Sequence, residues 1–273
     1  MAELSVLMSI YIKEKPEYVR QCFDSLLAQT VQADEWVVVE DGPLTDEMYE
    51  LLDRYQAEHP GLIRRLPQEQ NQGLGIALQI GVPQCRNELI ARMDTDDIAR
   101  PDRFEKQLAE FKKNPDLDIL GSHIDEFEET PDKIVARRMV PLTDADIKRY
   151  QRKRDGFNHM TVMYKKKAVL DAGNYQPCPL MEDTYLWVRM MKNGVTCMNI
   201  DEALVHARIG ANMYARRGGF AYFKKYKKAM KMVYDTGYIS WWDYFTVIVV
   251  QFCVALVPGK LRGWIFKKLL HRG

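Results

Sequence analysis

The sequence lacks the features of a secreted, disulfide-stabilised protein. Its five cysteines are odd in number, widely spread and never arranged as Cys-x-x-Cys, so they indicate neither a disulfide framework nor a zinc or redox pair. Residues 1–12 have no basic flank and no long apolar stretch before Lys13, so we expect no signal peptide. The prediction is a cytoplasmic protein with reduced thiols.

The chain also lacks internal repeats, low-complexity tracts and an excess of one charge. Of its 273 residues, 47% are hydrophobic and 28% are charged, which is typical of a globular protein. Residues 215–273 contain 12 Lys and Arg against two Asp, a charge of +10, and the other 27 basic and 36 acidic residues give positions 1–214 a charge of −9. This asymmetry predicts a globular body and a basic, surface-seeking tail.

Apolar runs alternate with helical patterns in the first half of the chain. The runs at residues 5–12, 35–40 and 89–93 predict strands, and the second ends at the turn signal Asp41-Gly42-Pro43. The alternation predicts an α/β fold with a parallel sheet, whose ligands gather outside the carboxyl ends of the strands. A further strand is predicted at 117–121, and looser patterning over 122–180 predicts short, partly antiparallel strands.

Three carboxylates follow the apolar run at residues 89–93. They are Asp94, Asp96 and Asp97, and charges this close repel one another. A hard divalent cation would relieve the repulsion, because Mg²⁺ is usually held by one or two carboxylates together with substrate phosphates. An Asp-x-Asp pattern alone also fits an acidic turn that caps the next helix.

Other motifs surround this acidic segment in a definite order. They are Asp41-Gly42, Asn71-Gln72-Gly73, Arg100-Pro101-Asp102-Arg103, and Met181-Glu182-Asp183 before a predicted helix. At these residues, and over roughly residues 4–220, the sequence resembles glycosyltransferase family 2, especially its small bacterial members of the amylovoran or β-galactosyltransferase type, which build capsule or O-antigen units. The resemblance implies a GT-A fold, in which helices flank a Rossmann-like nucleotide-binding sheet.

The resemblance also implies roles for individual residues. Those assigned to the nucleotide sugar are Tyr11, Asp41, Gly73, Asp94 and Asp96. Asp94 and Asp96 would also hold Mn²⁺ or Mg²⁺, and Asp183, beside Glu182, would take the proton from the acceptor hydroxyl. Further candidates for acceptor or diphosphate contacts are His159, Arg208 and Arg216, although a lone histidine or a basic loop can equally be structural.

These roles describe a single displacement, which inverts the anomeric configuration. No Gln-x-x-Arg-Trp motif of processive relatives follows Asp183, so addition of one sugar is favoured. By analogy, the resemblance implies transfer of β-linked galactose or glucose from a UDP-sugar to a saccharide on undecaprenyl diphosphate. Such a reaction belongs to O-antigen, capsule or exopolysaccharide synthesis.

The tail beyond residue 214 has the pattern of an interfacial helix. Sixteen uncharged residues separate Asp243 from Lys260, and a helix of that length spans about 24 Å, less than the ~30 Å hydrocarbon core. Tryptophans and lysines flank the run, as at membrane surfaces. We therefore expect a catalytic domain over 1–214, with a nucleotide half to about 100 and an acceptor half after it, and an amphipathic tail over 215–273. The tail would lie on the cytoplasmic face of the inner membrane, unless it only covers the domain.

Two other functions remain open. A sugar nucleotidyltransferase shares the general fold, but residues 10–16 lack its glycine-rich, Arg-containing phosphate loop. A membrane-bound carbohydrate-binding module would fit the basic clusters without needing all four of Asp41, Asp94, Asp96 and Asp183. A nucleic-acid partner is not expected, because the basic tail is interleaved with aliphatic residues and offers no polar groove.

Overall fold

The computed structural model describes residues 3–210 and 218–257, and these residues form one mixed sheet with helices around it. The strands are β1 (Leu4–Ile10), β2 (Glu35–Glu40), β3 (Ile63–Pro67), β4 (Leu89–Arg92), β5 (Ile98–Ala99), β6 (Leu117–Phe127), β7 (Ile134–Arg138), β8 (Met163–Lys165) and β9 (Thr196–Arg208). The helices are α1 (Pro16–Leu27), α2 (Asp46–Glu58), α3 (Leu74–Gln84), α4 (Arg103–Lys113), α5 (Asp144–Tyr150), α6 (Lys166–Asp171), α7 (Glu182–Lys192), α8 (Phe220–Asp235) and α9 (Trp241–Leu256), with a 3₁₀ turn at His159–Thr161.

The first four strands form the predicted parallel sheet, in the order β3-β2-β1-β4. Successive side chains of a strand point to opposite faces, and β1 contributes to two cores in this way. Val6 and Met8 pack with Phe23 of α1, whereas Leu7 packs with Leu78 of α3 on the other face. Helices on both faces explain why β1 and β2 are almost completely buried, whereas β3 at the edge of the sheet contains two arginines and is mostly accessible.

The same sheet continues into the second half of the chain. β8 lies between β4 and β6 and is antiparallel to both, and β6 runs parallel to β9. β7 and β5 are antiparallel additions. Strands from residues 1–100 and from residues 101–214 therefore belong to one continuous sheet, and the division into a nucleotide half and an acceptor half stays a prediction.

The strand predicted at residues 117–121 is longer than expected, because β6 extends to Phe127. The polar residues that obscured the pattern are buried and have partners. Thr161 Oγ1 accepts the Ser122 N–H at 3.0 Å, His123 Nε2 lies 3.0 Å from Asp201, and Asp125 forms a bidentate pair with Arg137. A buried strand can contain polar residues when such partners satisfy them.

Two helices follow the sheet. α9 begins with a capping box between Ser240 and Asp243, and Asp243 also accepts a 2.9 Å hydrogen bond from Arg152 Nε. Val233 of α8 and Val247 of α9 belong to the same buried cluster as Val188 of α7. None of the helices over residues 3–210 and 218–257 is long and apolar enough to cross a membrane.

Candidate active site

The end of β2 is joined to the loop before α3 through one buried carboxylate. Asp41 is 4% exposed, and its two oxygens accept the backbone N–H groups of Gln72 at 2.7 Å and Gly73 at 2.9 Å. Asn71 Nδ2 donates to the Asp41 carbonyl at 3.1 Å. The structure therefore brings together Asp41 and Gly73, two of the residues assigned to the nucleotide sugar, and Asp41 shapes this loop, whereas its contact with the nucleotide remains a prediction.

Gly42 follows Asp41 and approaches the same loop closely. Its φ is +87°, and a Cβ there would lie 2.6 Å from the backbone nitrogen of Asn71. We expect Gly42→Ala to displace the Asn71–Gly73 loop and raise the KM for the nucleotide sugar about 10-fold or more. The matched control is Gly61→Ala, because Gly61 has a φ of +82° with nothing within 4 Å of its Cβ.

Both variants place alanine in the left-handed region, which costs about 1–2 kcal/mol. The left-handed strain is therefore common to both variants, Gly42→Ala should lose further stability in thermal unfolding through its clash with Asn71, and only Gly42→Ala should weaken donor binding in a titration. Equal donor KM values for the two variants would contradict a role for the loop in donor binding.

The acidic segment after β4 is partly buried. Asp94 forms an ion pair with the buried guanidinium of Arg92, and Asp97 accepts the backbone N–H of Arg208 at 2.8 Å. Burial, and then the neighbouring Asp94 charge, raise the pKa of Asp96 to about 6. A carboxylate whose charge is poorly compensated is suited to a cation.

Glu14 adds a carboxyl that the sequence reasoning did not identify. Burial and the charges of Asp96 and Asp94 raise its pKa to about 7, so it lies within electrostatic reach of both. Its backbone N–H donates to the Tyr11 carbonyl at 3.0 Å in the loop after β1. Tyr11, Glu14 and the acidic segment thus gather at the carboxyl edge of β1 and β4.

These carboxylates have the oxygen donors that a hard divalent cation prefers. Within the described parts of the chain, no three His, Cys, Asp or Glu side chains are arranged as a complete metal site. A cation bound by one or two carboxylates and the donor phosphates would not need three such side chains. The donor set therefore fits Mn²⁺ or Mg²⁺, with Asp96 better placed than Asp94, which is paired with Arg92.

Glu182 and Asp183 occupy the first turn of α7, where the helix dipole favours negative charge. Burial, and then the charges of Asp155 and Glu182, raise the pKa of Asp183 to about 8. Burial also raises the pKa of Glu182, and the charge of Asp94 contributes. The fold therefore brings the predicted catalytic and metal-binding carboxylates into one electrostatic unit.

Arg92 is the buried cation of this unit. It is 1% exposed, and its charge acts against burial to lower the pKa values of Glu182 and Asp183. Sequence reasoning missed this role, because Arg92 is the last residue of an apolar strand. An arginine at a buried strand position next to an acidic motif is the one signal that could have identified it.

The remaining candidates differ in their placement. His159 Nδ1 lies 4.0 Å from Asp183 Oδ2. Arg208 donates from Nε to the Asp96 carbonyl at 3.0 Å and from Nη2 to Gln21 at 2.5 Å. Its guanidinium also lies 3.9 Å from the ring centroid of Tyr18. In this structure Arg208 is therefore engaged with the acidic segment and with side chains of α1. Arg216 lies outside the described residues.

Solved structures share this architecture. S. aureus TarS 1-349 in complex with UDP-GlcNAc matches with a TM-score of 0.64 and 18% identity over 84% of this chain and 66% of that chain. The mannosyltransferase PcManGT from Pyrobaculum calidifontis in complex with GDP-Man and Mn²⁺ matches with a TM-score of 0.62 and 12% identity, over 86% and 64%. This chain spans under two thirds of each solved chain, and the likeness shows the fold, which is GT-A-like.

Curated relatives match over nearly their whole length. An uncharacterized glycosyltransferase of Haemophilus influenzae is 40% identical over 99% of this chain and 100% of the relative. The amylovoran biosynthesis glycosyltransferase AmsE of Erwinia amylovora is 38% identical, over 97% and 98%. The Escherichia coli UDP-Gal:alpha-D-GlcNAc-diphosphoundecaprenol beta-1,3-galactosyltransferase is 37% identical, over 99% and 97%. The family model described as glycosyl transferase family 2 matches residues 5–174, and this chain is a glycosyltransferase that belongs to that family.

Proposed function

We propose that the enzyme transfers one sugar, with inversion, from a UDP-sugar to a saccharide on a polyprenyl diphosphate, in the synthesis of a surface polysaccharide. The observation that carries the proposal is the position of Asp183, a partly buried carboxyl in the first turn of α7 whose raised pKa suits a general base and which shares an electrostatic unit with Asp94 and Asp96. The names of the E. coli and E. amylovora relatives support this acceptor class and pathway, and make galactose the first donor to test, with glucose second.

The reaction is a single displacement at the anomeric carbon. The acceptor oxygen forms a bond to that carbon while the bond to the diphosphate oxygen breaks, and the electron pair leaves with UDP. Asp183 takes the proton of the acceptor hydroxyl. Attack from the face opposite the leaving group inverts the configuration once, and a single sugar is added.

Asp96, assisted by Asp94, would hold Mn²⁺ or Mg²⁺ in the donor complex. The cation supplies charge stabilisation for the departing diphosphate. Asp41 holds the Asn71–Gly73 loop in the conformation that lines the nucleotide pocket, and Tyr11 lies at the neighbouring strand end. Arg92 balances the negative charge of the carboxylates before the donor arrives.

The outer face of α9 supports a location at the cytoplasmic face of the inner membrane. Trp241, Trp242 and Phe245 are 46–68% exposed, and amphipathic aromatics of this kind favour the interface. Exposed lysines on the preceding helix α8 would attract anionic headgroups, and they are Lys224, Lys225, Lys227 and Lys228. We propose that residues 215–273 serve this membrane association, attached to a catalytic domain at 1–214; the structure describes residues 218–257 of them.

Trp241→Ala combined with Trp242→Ala should lower partitioning onto phosphatidylglycerol vesicles about 10-fold or more, because the aromatic area no longer inserts. The measurement is co-sedimentation with vesicles. The matched control is Ile134→Ala with Val135→Ala, which removes two exposed apolar side chains from β7. Equal partitioning of both double variants and wild type would contradict the membrane surface.

The function is tested by UDP release from a panel of UDP-sugars, with and without Mn²⁺, using GlcNAc on a lipid diphosphate as the acceptor. Acceptor-dependent, metal-dependent release from one donor is the expected result, and analysis of the linkage of the product tests inversion. Release of diphosphate from a nucleoside triphosphate would indicate a sugar nucleotidyltransferase instead. Saccharide binding without turnover of any donor would indicate a binding module.

A further inference from the structure

The proposed base is held on one side by the backbone and lies near a histidine on the other. Asp183 Oδ1 accepts the backbone N–H of Thr184 at 2.7 Å, and Asp183 Oδ2 lies 4.0 Å from His159 Nδ1. The other ring nitrogen of His159, Nε2, lies 2.9 Å from the Tyr175 hydroxyl. The imidazole therefore stands between a phenol and the catalytic carboxylate.

The ring has little freedom to leave this position. Trp187, one helical turn after Asp183, contacts the ring of His159 at a centroid distance of 5.8 Å and that of Tyr175 at 6.3 Å. His159 begins a 3₁₀ turn, and Asn158 before it donates to the Ser122 carbonyl at 2.9 Å. Residues one turn apart on a helix share a face, so α7 supplies both the base and the packing that fixes its neighbour.

The protonation states of His159 and Tyr175 follow from their surroundings. Burial, and then the charge of Arg92, hold the pKa of His159 well below its usual range, so the imidazole is neutral and has one N–H. Burial holds the pKa of Tyr175 well above its usual range, so its hydroxyl keeps its proton. When Asp183 is ionised, a lone pair on Nδ1 would face a negative charge. A proton on Nδ1, with Nε2 accepting from Tyr175, is therefore favoured.

We propose that His159 is a positioning residue for Asp183: Tyr175 holds it as the tautomer protonated on Nδ1, and this N–H orients the carboxylate and stabilises its charge. The inference rests on the proposed function, because it takes Asp183 as the base. A relative movement of about 1 Å would shorten the distance between His159 Nδ1 and Asp183 Oδ2 to hydrogen-bond length. Catalytic hydrogen bonds commonly tighten in this way when substrate binds. The proton of the acceptor hydroxyl goes to Asp183, and the imidazole stays neutral.

Several charged and polar groups act on the Asp183 carboxyl. Burial, Asp155 and Glu182 raise the pKa of Asp183 to about 8, whereas the Thr184 N–H and Arg92 lower it. Cys178 and Tyr175 also lie within electrostatic reach. A base must be ionised, so kcat/KM rises with pH towards this pKa. Loss of a donor to the carboxylate raises the pKa further and moves the acid limb to higher pH.

The test is the pH dependence of kcat/KM for His159→Leu and His159→Asn. His159→Leu should move the acid limb up by about one pH unit, which is about 10-fold less activity at neutral pH, with a smaller difference at high pH. His159→Asn places an amide N–H near the position of Nδ1, so the acid limb should return towards its wild-type pH. Tyr175→Phe should shift it in the same direction as leucine, because the tautomer is no longer fixed.

Asp155→Asn is the control of opposite sign, since removing a like charge should move the limb to lower pH. An equal loss at every pH in the leucine variant, or a raised acceptor KM with an unmoved limb, would overturn the inference and make His159 a structural or acceptor-binding residue. Absence of sugar transfer by the wild-type enzyme would instead refute the proposed function.

Discussion

Asp183→Asn should lower kcat by about 10²- to 10⁴-fold, the usual contribution of a positioned general base. Asparagine keeps the shape of the side chain and its contact with the Thr184 N–H through the amide oxygen. It cannot accept the proton of the acceptor hydroxyl. The measurement is UDP release under saturating donor and acceptor, and donor affinity, measured by direct titration, should stay close to that of wild type.

The same substitution should stabilise the fold at neutral pH. The folded-state pKa of Asp183 is raised to about 8 from an ordinary value of 3.8, so the folded state favours the protonated carboxyl. Between about pH 4 and about pH 8 the carboxyl ionises in the unfolded state but stays protonated in the folded state. The free energy of unfolding therefore falls as the pH rises through this range, and asparagine removes this loss. A Tm higher by several degrees at pH 8, with little gain at pH 4, is the expected result in thermal unfolding.

Asp171→Asn is the matched control, because Asp171 is an exposed carboxylate at the end of α6, paired with Lys167. It should change neither kcat nor the pH dependence of Tm appreciably, since exposed pairs contribute little. Full activity in Asp183→Asn would show that another group removes the proton. A lower Tm at pH 8 would show that Asp183 is better compensated than its burial indicates.

Asp96→Ala should lower kcat/KM by about 10²-fold or more and remove most of the response to Mn²⁺. The reason is that a bound cation contributes several kcal/mol of charge stabilisation, and Asp96 is the carboxylate of the acidic segment whose charge is less compensated. The measurement is UDP release during a Mn²⁺ titration, together with metal binding in the presence of UDP.

Asp116→Ala supplies the comparison, because Asp116 is an exposed carboxylate in the turn before β6. Its Mn²⁺ titration should match that of wild type. The fold of Asp96→Ala should persist, since burial disfavours the ionised Asp96 side chain, and thermal unfolding checks this. An unchanged Mn²⁺ response in Asp96→Ala would remove Asp96 from the metal site.

The sequence alone was sufficient to predict the family, the parallel part of the sheet and the strand ends that hold Asp41 and Asp94. These depend on local pattern, because an apolar β-branched run followed by Asp-Gly or Asp-x-Asp specifies a strand and its terminus. β6 is a strand that local pattern predicts only in part. Its second half is polar, and only partners such as Thr161 and Arg137 make it a buried strand.

The tertiary structure decided how the site is charged and connected. Arg208, a candidate for the diphosphate, contacts Gln21 and the Asp96 carbonyl, and Arg92 balances carboxylates about 90 positions away in the sequence. Local motifs do not specify which distant groups become buried together, yet burial and neighbouring charge set the protonation of Asp183 and His159. The sequence therefore identified most of the candidate carboxylates, whereas long-range packing brought Glu14 beside them and decided the electrostatic environment in which each of them lies.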